Sequence, residues 1–150
     1  MPEARTQPAG NLRERALALL ARREHSRVEL TRKLATAGFD REEIHPLLDQ
    51  FEAKNWLSDQ RFAESYVADH RAKAGSIKLG YDLRQRGVAD AVIDEVLNDC
   101  HDSELERARK VWEKKFGSPP KSASEEARHI RFLQGRGFPG ETIRHILAGE

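Results

Sequence analysis

Three glycines set the frame of this chain. Gly38, Gly87 and Gly137 stand 49 and 50 residues apart, and the same apolar positions recur around each. Leu34, Leu83 or Leu133 lies four residues before the glycine, and Phe39, Val88 or Phe138 lies one after. Ile44, Ile93 or Ile143 lies six after, Leu47, Val96 or Ile146 nine after, and Leu48, Leu97 or Leu147 ten after. Self-similarity at a fixed period marks a repeat architecture, in which one unit alone cannot bury its apolar face. The pattern also fixes the local geometry. An apolar stripe of helical period runs up to each glycine. The glycine can take a positive φ and so close the helix without a Cβ penalty. The apolar residue after it packs back, and a second helix starts within a few residues.

One more helical stretch precedes each pair, at roughly 12–24, 59–73 and 103–116. The expected fold is therefore all-α: three tandem three-helix repeats, resembling helix-turn-helix units, in an elongated, curved array. The expected boundaries are a disordered tail over 1–11, then repeats over 12–57, 58–100 and 101–150. Helix starts are marked by capping-box spacings at Asn11 with Glu14, Ser26 with Glu29, Asp40 with Glu43, and Ser103 with Glu106. Ser58 and Ser76 are expected as simple caps. The clearest loop is GSPPKSAS, Gly117 to Ser124.

Composition narrows the function classes. The net charge is +1, spread as +1, −2 and +2 over residues 1–57, 58–100 and 101–150, so no segment is a polycationic tail. Grip on nucleic acid would require clustering in space rather than bulk charge. A single cysteine, Cys100, rules out a disulfide within the chain and fits a reducing compartment. No stretch is long and apolar enough for a membrane span. The expected location is cytoplasmic, the expected state a monomer.

The hexapeptide GRGFPG, Gly135 to Gly140, matches the spacing of a phosphate-cradling loop. Such a loop needs a strand before it and a helix N-terminus at the phosphate. Here a helix bearing Ile130 and Leu133 precedes, Gly137 is the repeat's helix stop, and Pro139 lacks an N–H. The six histidines show no i, i+4 pair and read as surface or rim residues; Cys100 has no second thiol and reads as a half-buried helix end. Glu42–Glu43 and Glu125–Glu126 each sit in a first helical turn, where negative charge suits the helix dipole. No catalytic residue, metal site or cofactor is expected.

Basic residues also follow the repeat. Arg32 and Arg131 lie six before the glycine, Arg86 and Arg136 one before, Lys78 and Arg128 nine before. Equivalent positions of a repeat array can form one discontinuous basic strip, although cations near helix C-termini are favourable in any case. Arg32, Lys33, Arg128, Arg131 and Arg136 are the candidate DNA or phosphate contacts. Of the aromatic residues, Phe62, Tyr66 and Trp112 recur at helical spacing with small apolar neighbours and read as core.

The stretch WLSDQRFAESYVADHRAKAGSIKLGYDLRQRGV, Trp56 to Val88, resembles the signature of the RecX family of bacterial recombination regulators. The resemblance rests on Leu57, Asp59, Phe62–Ala63, Tyr66–Val67, Arg71, Gly75, Leu79, Leu83 and Gly87–Val88, with Asp82 where the family commonly has Glu. ARREHSRVEL TRKL in the first unit, and KKFG and RFLQGRGF in the third, are similar to the same family. The resemblance implies tandem three-helix repeats. It also implies a partner, the strand-exchange ATPase RecA and its filament on single-stranded DNA, whose recombinase, ATPase and co-protease activities such a protein suppresses without catalysing a reaction. Asp59, Arg61, Arg71, Lys73, Lys78, Arg84 and Arg86 of the central unit are the expected filament contacts. The alternative is a direct DNA-binding protein built of helix-turn-helix-like units.

Overall fold

The computed structural model describes residues 11–149, with the backbone alone at 101 and 102. Among these residues the secondary structure is nine α-helices: α1 Leu12–Arg22, α2 Arg27–Thr36, α3 Arg41–Ala53, α4 Asp59–His70, α5 Ser76–Gln85, α6 Asp90–Asn98, α7 His101–Lys115, α8 Ala123–Gly135 and α9 Gly140–Leu147. The tail expected over 1–11 lies outside the described residues, except Asn11, which caps α1.

The repeat glycines end α2, α5 and α8. Gly38, Gly87 and Gly137 have φ of 106°, 83° and 86°. At two of these ends the closing hydrogen bonds are plain. The Phe39 amide donates to Leu34 O at 3.1 Å and Gly38 to Ala35 O at 3.0 Å. Phe138 donates to Leu133 O at 3.2 Å and Gly137 to Gln134 O at 2.9 Å. This is the paired capping of a left-handed helix end, and it places the following Phe over the helix just closed. Asn55, with φ 62°, ends α3 the same way.

The chain divides into two compact units: residues up to 65 with 86–88, and residues 66–85 with 89 onward. In the first, α1, α2 and α3 close on Ala16, Leu30, Leu34, Ile44, Leu48, Phe51 and Leu57, all buried. The guanidinium of Arg27 bridges Asp49 and Glu52 of α3, at 2.7 Å each. In the second, α7, α8 and α9 close on Ala108, Leu133, Phe138, Ile143 and Ile146. Burying one such aliphatic or aromatic side chain is worth about 1.5–3 kcal/mol, so a core of this size suits small repeated units.

The capping boxes at Asn11–Glu14 and Ser26–Glu29 form as the spacing predicts, and Ser58 Oγ accepts the Arg61 amide at 3.1 Å. Three expected caps differ. Asp40 precedes α3 without a side-chain cap bond; its carbonyl already takes the Glu43 and Ile44 amides, both at 3.0 Å. Ser103 lies inside the first turn of α7, which starts two residues earlier than expected, and its hydroxyl donates to Cys100 O at 3.2 Å. Ser76 is itself the first residue of α5, and its amide is taken by a carboxylate from elsewhere in the unit. Cys100 is buried rather than half-buried, at 3% exposure between α6 and α7. His25 and His129 are likewise buried, not rim residues. His129 accepts the Trp112 indole N–H at 3.0 Å and stacks on Phe116 at 3.7 Å. The GRGFPG string follows a helix, with α8 running into its first glycine.

Candidate interaction surfaces

The N-termini of α2 and α5 are held by parallel arrangements. A helix begins with amides that have no partner within it. At α2 the Arg27 amide donates to Asp59 Oδ1 at 2.8 Å, and Ser26 Oγ donates to Arg86 O at 2.7 Å. At α5 the Ser76 amide donates to Glu104 Oε2 at 2.6 Å, the Gly75 amide to Arg136 O at 2.8 Å and the Ile77 amide to Gly137 O at 3.0 Å. In both cases an acid near the start of the next repeat's first helix, and the glycine turn of that repeat, close the helix start. The carboxylates also meet the positive end of the helix dipole. The backbones touch. A Cβ on Gly75 would overlap the carbonyl of Gly137, one on Gly137 would overlap Lys78, and one on Gly87 would overlap Val28.

These junctions assign several of the residues expected to meet a filament. Asp59 is half-buried at the α2 start. Burial raises its pKa, the Arg27 amide opposes that shift, and nearby Glu52 adds to it. Arg61 donates to Glu24 at 2.8 Å and Asn55 at 3.0 Å. Arg71 donates to Ser103 Oγ at 2.7 Å, and its carbonyl accepts from Arg107 Nε at 3.0 Å. Arg107, 8% exposed, was not singled out by the sequence; burial depresses its pKa. Arg86 lends its carbonyl to Ser26.

The outer face of α5 is different. Ile77 and Tyr81, four residues apart, are 60% and 57% exposed, the two most exposed large apolar side chains among the described residues. Lys78 pairs with Asp82 at 3.3 Å, and Arg84 with Asp90 at 3.0 Å. Asp82 also accepts from the Tyr66 hydroxyl at 3.1 Å. The result is an apolar pair flanked by charge on a helix whose opposite side buries Leu79, Gly80 and Leu83.

The remaining cations gather at clefts. Arg128 and Arg131 of α8 line one of ≈ 670 Å³ with Lys115, Phe116 and Phe132. Arg136, Lys73, Lys110, Lys114 and Lys115 line a second of ≈ 520 Å³ that shares Phe132. In the first unit Arg32 and Lys33 line a smaller cleft of ≈ 350 Å³ with Arg15, Leu19 and Thr36. The structure thus brings together Arg128, Arg131, Arg136 and Lys73. Lys110, Lys114, Lys115, Phe116 and Phe132 were missed from the sequence. The available signals were the basic run of KVWEKK and Phe132 itself, five before Gly137, where the other repeats have Lys33 and Asp82.

Comparison with known proteins bears on all three repeats. Residues 13–51, 58–97 and 102–147 match the models of the first, second and third three-helix domains of RecX, in that order. The regulatory protein RecX of Chromobacterium violaceum is 45% identical over 139 residues, covering 93% of this chain and 90% of that one. That of Ralstonia pickettii is 41% identical, covering 93% and 87%. Two crystal structures share the fold. RecX from Lactobacillus salivarius superposes with a TM-score of 0.78 at 20% identity, over 91% of this chain and 92% of that one. A second regulatory protein RecX gives 0.80 at 22% identity, over 91% and 71%. With all three domain models matched in chain order and relatives above 40% identity along nearly its whole length, the chain belongs to the RecX family of regulatory proteins.

Proposed function

We propose that this protein binds RecA and its filament on single-stranded DNA in the cytoplasm, and restrains the recombinase, ATPase and co-protease activities of RecA without catalysing a reaction itself. Two things support this reading. The family is one of regulatory proteins, and the central repeat, which carries the family signature, presents an apolar pair with no partner of its own. Ile77 and Tyr81 on α5 are the observation that carries the proposal. Large exposed side chains of this type, tyrosine above all, form the energetic centre of protein interfaces, with charged groups at the rim. Lys78 and Arg84, on the same helix, stand at that rim, whereas Lys73 lines a cleft with residues of α7 and α8. Asp59, Arg61 and Arg86 are bonded within the first unit, and Arg71 within the second. Binding a single filament state then shifts RecA towards that state by mass action.

The test is DNA-dependent ATP hydrolysis by RecA with increasing amounts of this protein. Inhibition far below one molecule per RecA subunit would indicate that filament ends are capped, and inhibition only near one per subunit that sides are coated. Undiminished hydrolysis, together with no co-sedimentation with RecA filaments, would end the proposal.

A further inference from the structure

The junction that holds the start of α5 departs from the one that holds α2 at a core position. Ser58, Asp59, Phe62 and Ala63 of the first have Ser103, Glu104, Arg107 and Ala108 of the second as equivalents, each 45 residues on. Asp59 and Glu104 do the same work, each accepting the amide at a helix start. Ala63 and Ala108 are both fully buried. Phe62, at 3% exposure, fills a core position, and at the equivalent place Arg107 buries a charge at 8%. We infer that Arg107, with Arg71 and Ser103, forms a binding site for one small oxyanion of the inorganic phosphate or sulfate type, at the N-terminal turn of α7.

The Arg107 guanidinium is short of partners. Its Nε donates to Arg71 O at 3.0 Å, and its Nη1 to Cys100 O and Ser103 Oγ, both at 3.4 Å. Nη2 donates to nothing; among the described residues it is the one buried side-chain nitrogen or oxygen without a hydrogen-bond partner. Buried polar atoms are nearly always paired, and a buried charge without a counter-ion is costlier still. No salt bridge among the described residues includes Arg107 or Arg71. Glu104 is the acid whose charge Arg107 feels, and its Oε2 is held by the Ser76 amide at 2.6 Å. The Cys100 thiol directs its proton to Val96 O at 3.9 Å. Arg71 adds a second positive charge rather than cancelling the first.

These groups converge. Arg71 Nη2 donates to Ser103 Oγ at 2.7 Å, the same oxygen that Arg107 Nη1 approaches. Two guanidinium groups thus meet around one hydroxyl in the first turn of a helix of 15 residues, where the helix dipole adds positive potential. Guanidinium forks match the paired oxygens of an oxyanion, which chloride lacks. Arg71 and Ser103 are half-buried and Arg107 is buried, so the site opens past the first two and ends on Nη2. A small free ion suits such a place. A phosphodiester, with chain on both sides of each phosphorus, does not reach a fully buried nitrogen.

The test is thermal melting of the full chain without RecA, in sodium phosphate and sodium sulfate against sodium chloride of equal ionic strength and pH. The melting temperature should climb by several degrees with the logarithm of phosphate or sulfate concentration, as for any ligand that binds only the folded form. Arg107→Met makes the position apolar, as Phe62 is. It should melt no lower than the wild type in chloride, because an uncompensated buried charge has gone, and should lose the phosphate response. Arg71→Gln, at a half-buried residue, keeps the test decisive if Arg107→Met does not fold: it should need about tenfold more phosphate for the same rise, the worth of a charged hydrogen bond. Arg131→Gln, in a cleft that none of the three residues lines, should respond as the wild type does. Equal melting in phosphate and chloride, or an undiminished phosphate response in either folded variant, would overturn the inference. So would loss of the response in Arg131→Gln, which would place the ion on α8. Oligothymidylate separates a free ion from a nucleic-acid phosphate. Any shift it causes should be the same in Arg71→Gln as in the wild type, and a shift that Arg71→Gln abolishes would also overturn the inference. RecA is absent throughout, so this site and the proposed inhibition stand or fall separately.

Discussion

The backbone carbonyl of Arg136 accepts the amide hydrogen of Gly75 at 2.8 Å, and one residue on, Gly137 O accepts from Ile77 at 3.0 Å. The glycine turn that ends α8 thus serves as the cap of α5. One feature of the sequence, the repeat glycine, has two duties: it closes its own helix, and it lets its backbone lie against another.

The two duties can be separated within GRGFPG. Gly137→Ala would place a Cβ at a φ of 86° and against Lys78. The backbone conformation alone costs about 1–2 kcal/mol in an L-residue, and the overlap adds to it. Gly135→Ala meets nothing within 4 Å at the end of a helix; it should be neutral or slightly stabilising, since Ala is the better helix former. Urea denaturation of the two variants should show a clear drop in midpoint for the first and none for the second. Equal effects would mean that the turn is not clasped against α5.

The acids at the two junctions should behave as caps. Removing Asp59 or Glu104 as Ala leaves the Arg27 or Ser76 amide without its acceptor; losing a helix N-terminal acceptor costs about 0.5–2 kcal/mol. Asp59→Asn keeps an acceptor oxygen and drops a charge that burial already disfavours, so it should recover most of the loss. A denaturation midpoint for Asp59→Asn as low as for Asp59→Ala would show that the charge, not the hydrogen bond, matters there.

What could be read in the sequence was what is local and periodic. Among the described residues, the nine helices, their glycine ends and the first-turn acids follow from side-chain spacing that a helix maps onto one face. Where spacing failed, a bond from a distant residue had taken over. Ser76 looked like a cap because nothing nearby in sequence could supply Glu104, 28 residues on. His25 and His129 looked like rim residues because their partners, Lys33 and Trp112, make burial tolerable only once the helices are packed. The basic clefts of the second unit were half legible: Arg128, Arg131 and Arg136 share a repeat register, whereas Lys73 and the α7 lysines join them only through tertiary packing.

The outer face of α5 should be separable from fold. Tyr81→Glu and Ile77→Asp change side chains that are more than half exposed, so melting temperatures should shift little. In the RecA ATPase assay each should raise the concentration for half-inhibition at least tenfold, the scale of a central interface aromatic worth about 1.4 kcal/mol or more. Arg84→Glu, at the rim, should have a smaller effect that fades as salt rises. Full inhibition by Tyr81→Glu would move the RecA contact to another face.

Acid should loosen the first unit through His25. The ring is 1% exposed, with Nδ1 3.1 Å from Arg23 O and Nε2 3.0 Å from Lys33 Nζ. A neutral ring satisfies both contacts, donating to the carbonyl and accepting from the ammonium. A protonated ring cannot accept, and it would face Arg23 and Lys33 with only Glu29 in compensation. Burial is the largest cause of its lowered pKa, and the two cations add to it. The folded form therefore binds a proton less readily than the unfolded form, whose histidine titrates near 6.5. Stability is complete above about pH 6.5 and is lost as pH falls through the depressed folded value. Glu29, whose pKa is lowered because the bonds and charge of Arg23 outweigh its burial, sheds its own contribution only below the ordinary carboxylate range near 4.3, outside the pH 7.5 to 5.5 range of the test. The melting temperature between pH 7.5 and 5.5 should fall by several degrees in the wild type and by distinctly less in His25→Gln, which keeps a donor and an acceptor but cannot titrate. Parallel falls in the two proteins would place the acid sensitivity elsewhere in the chain.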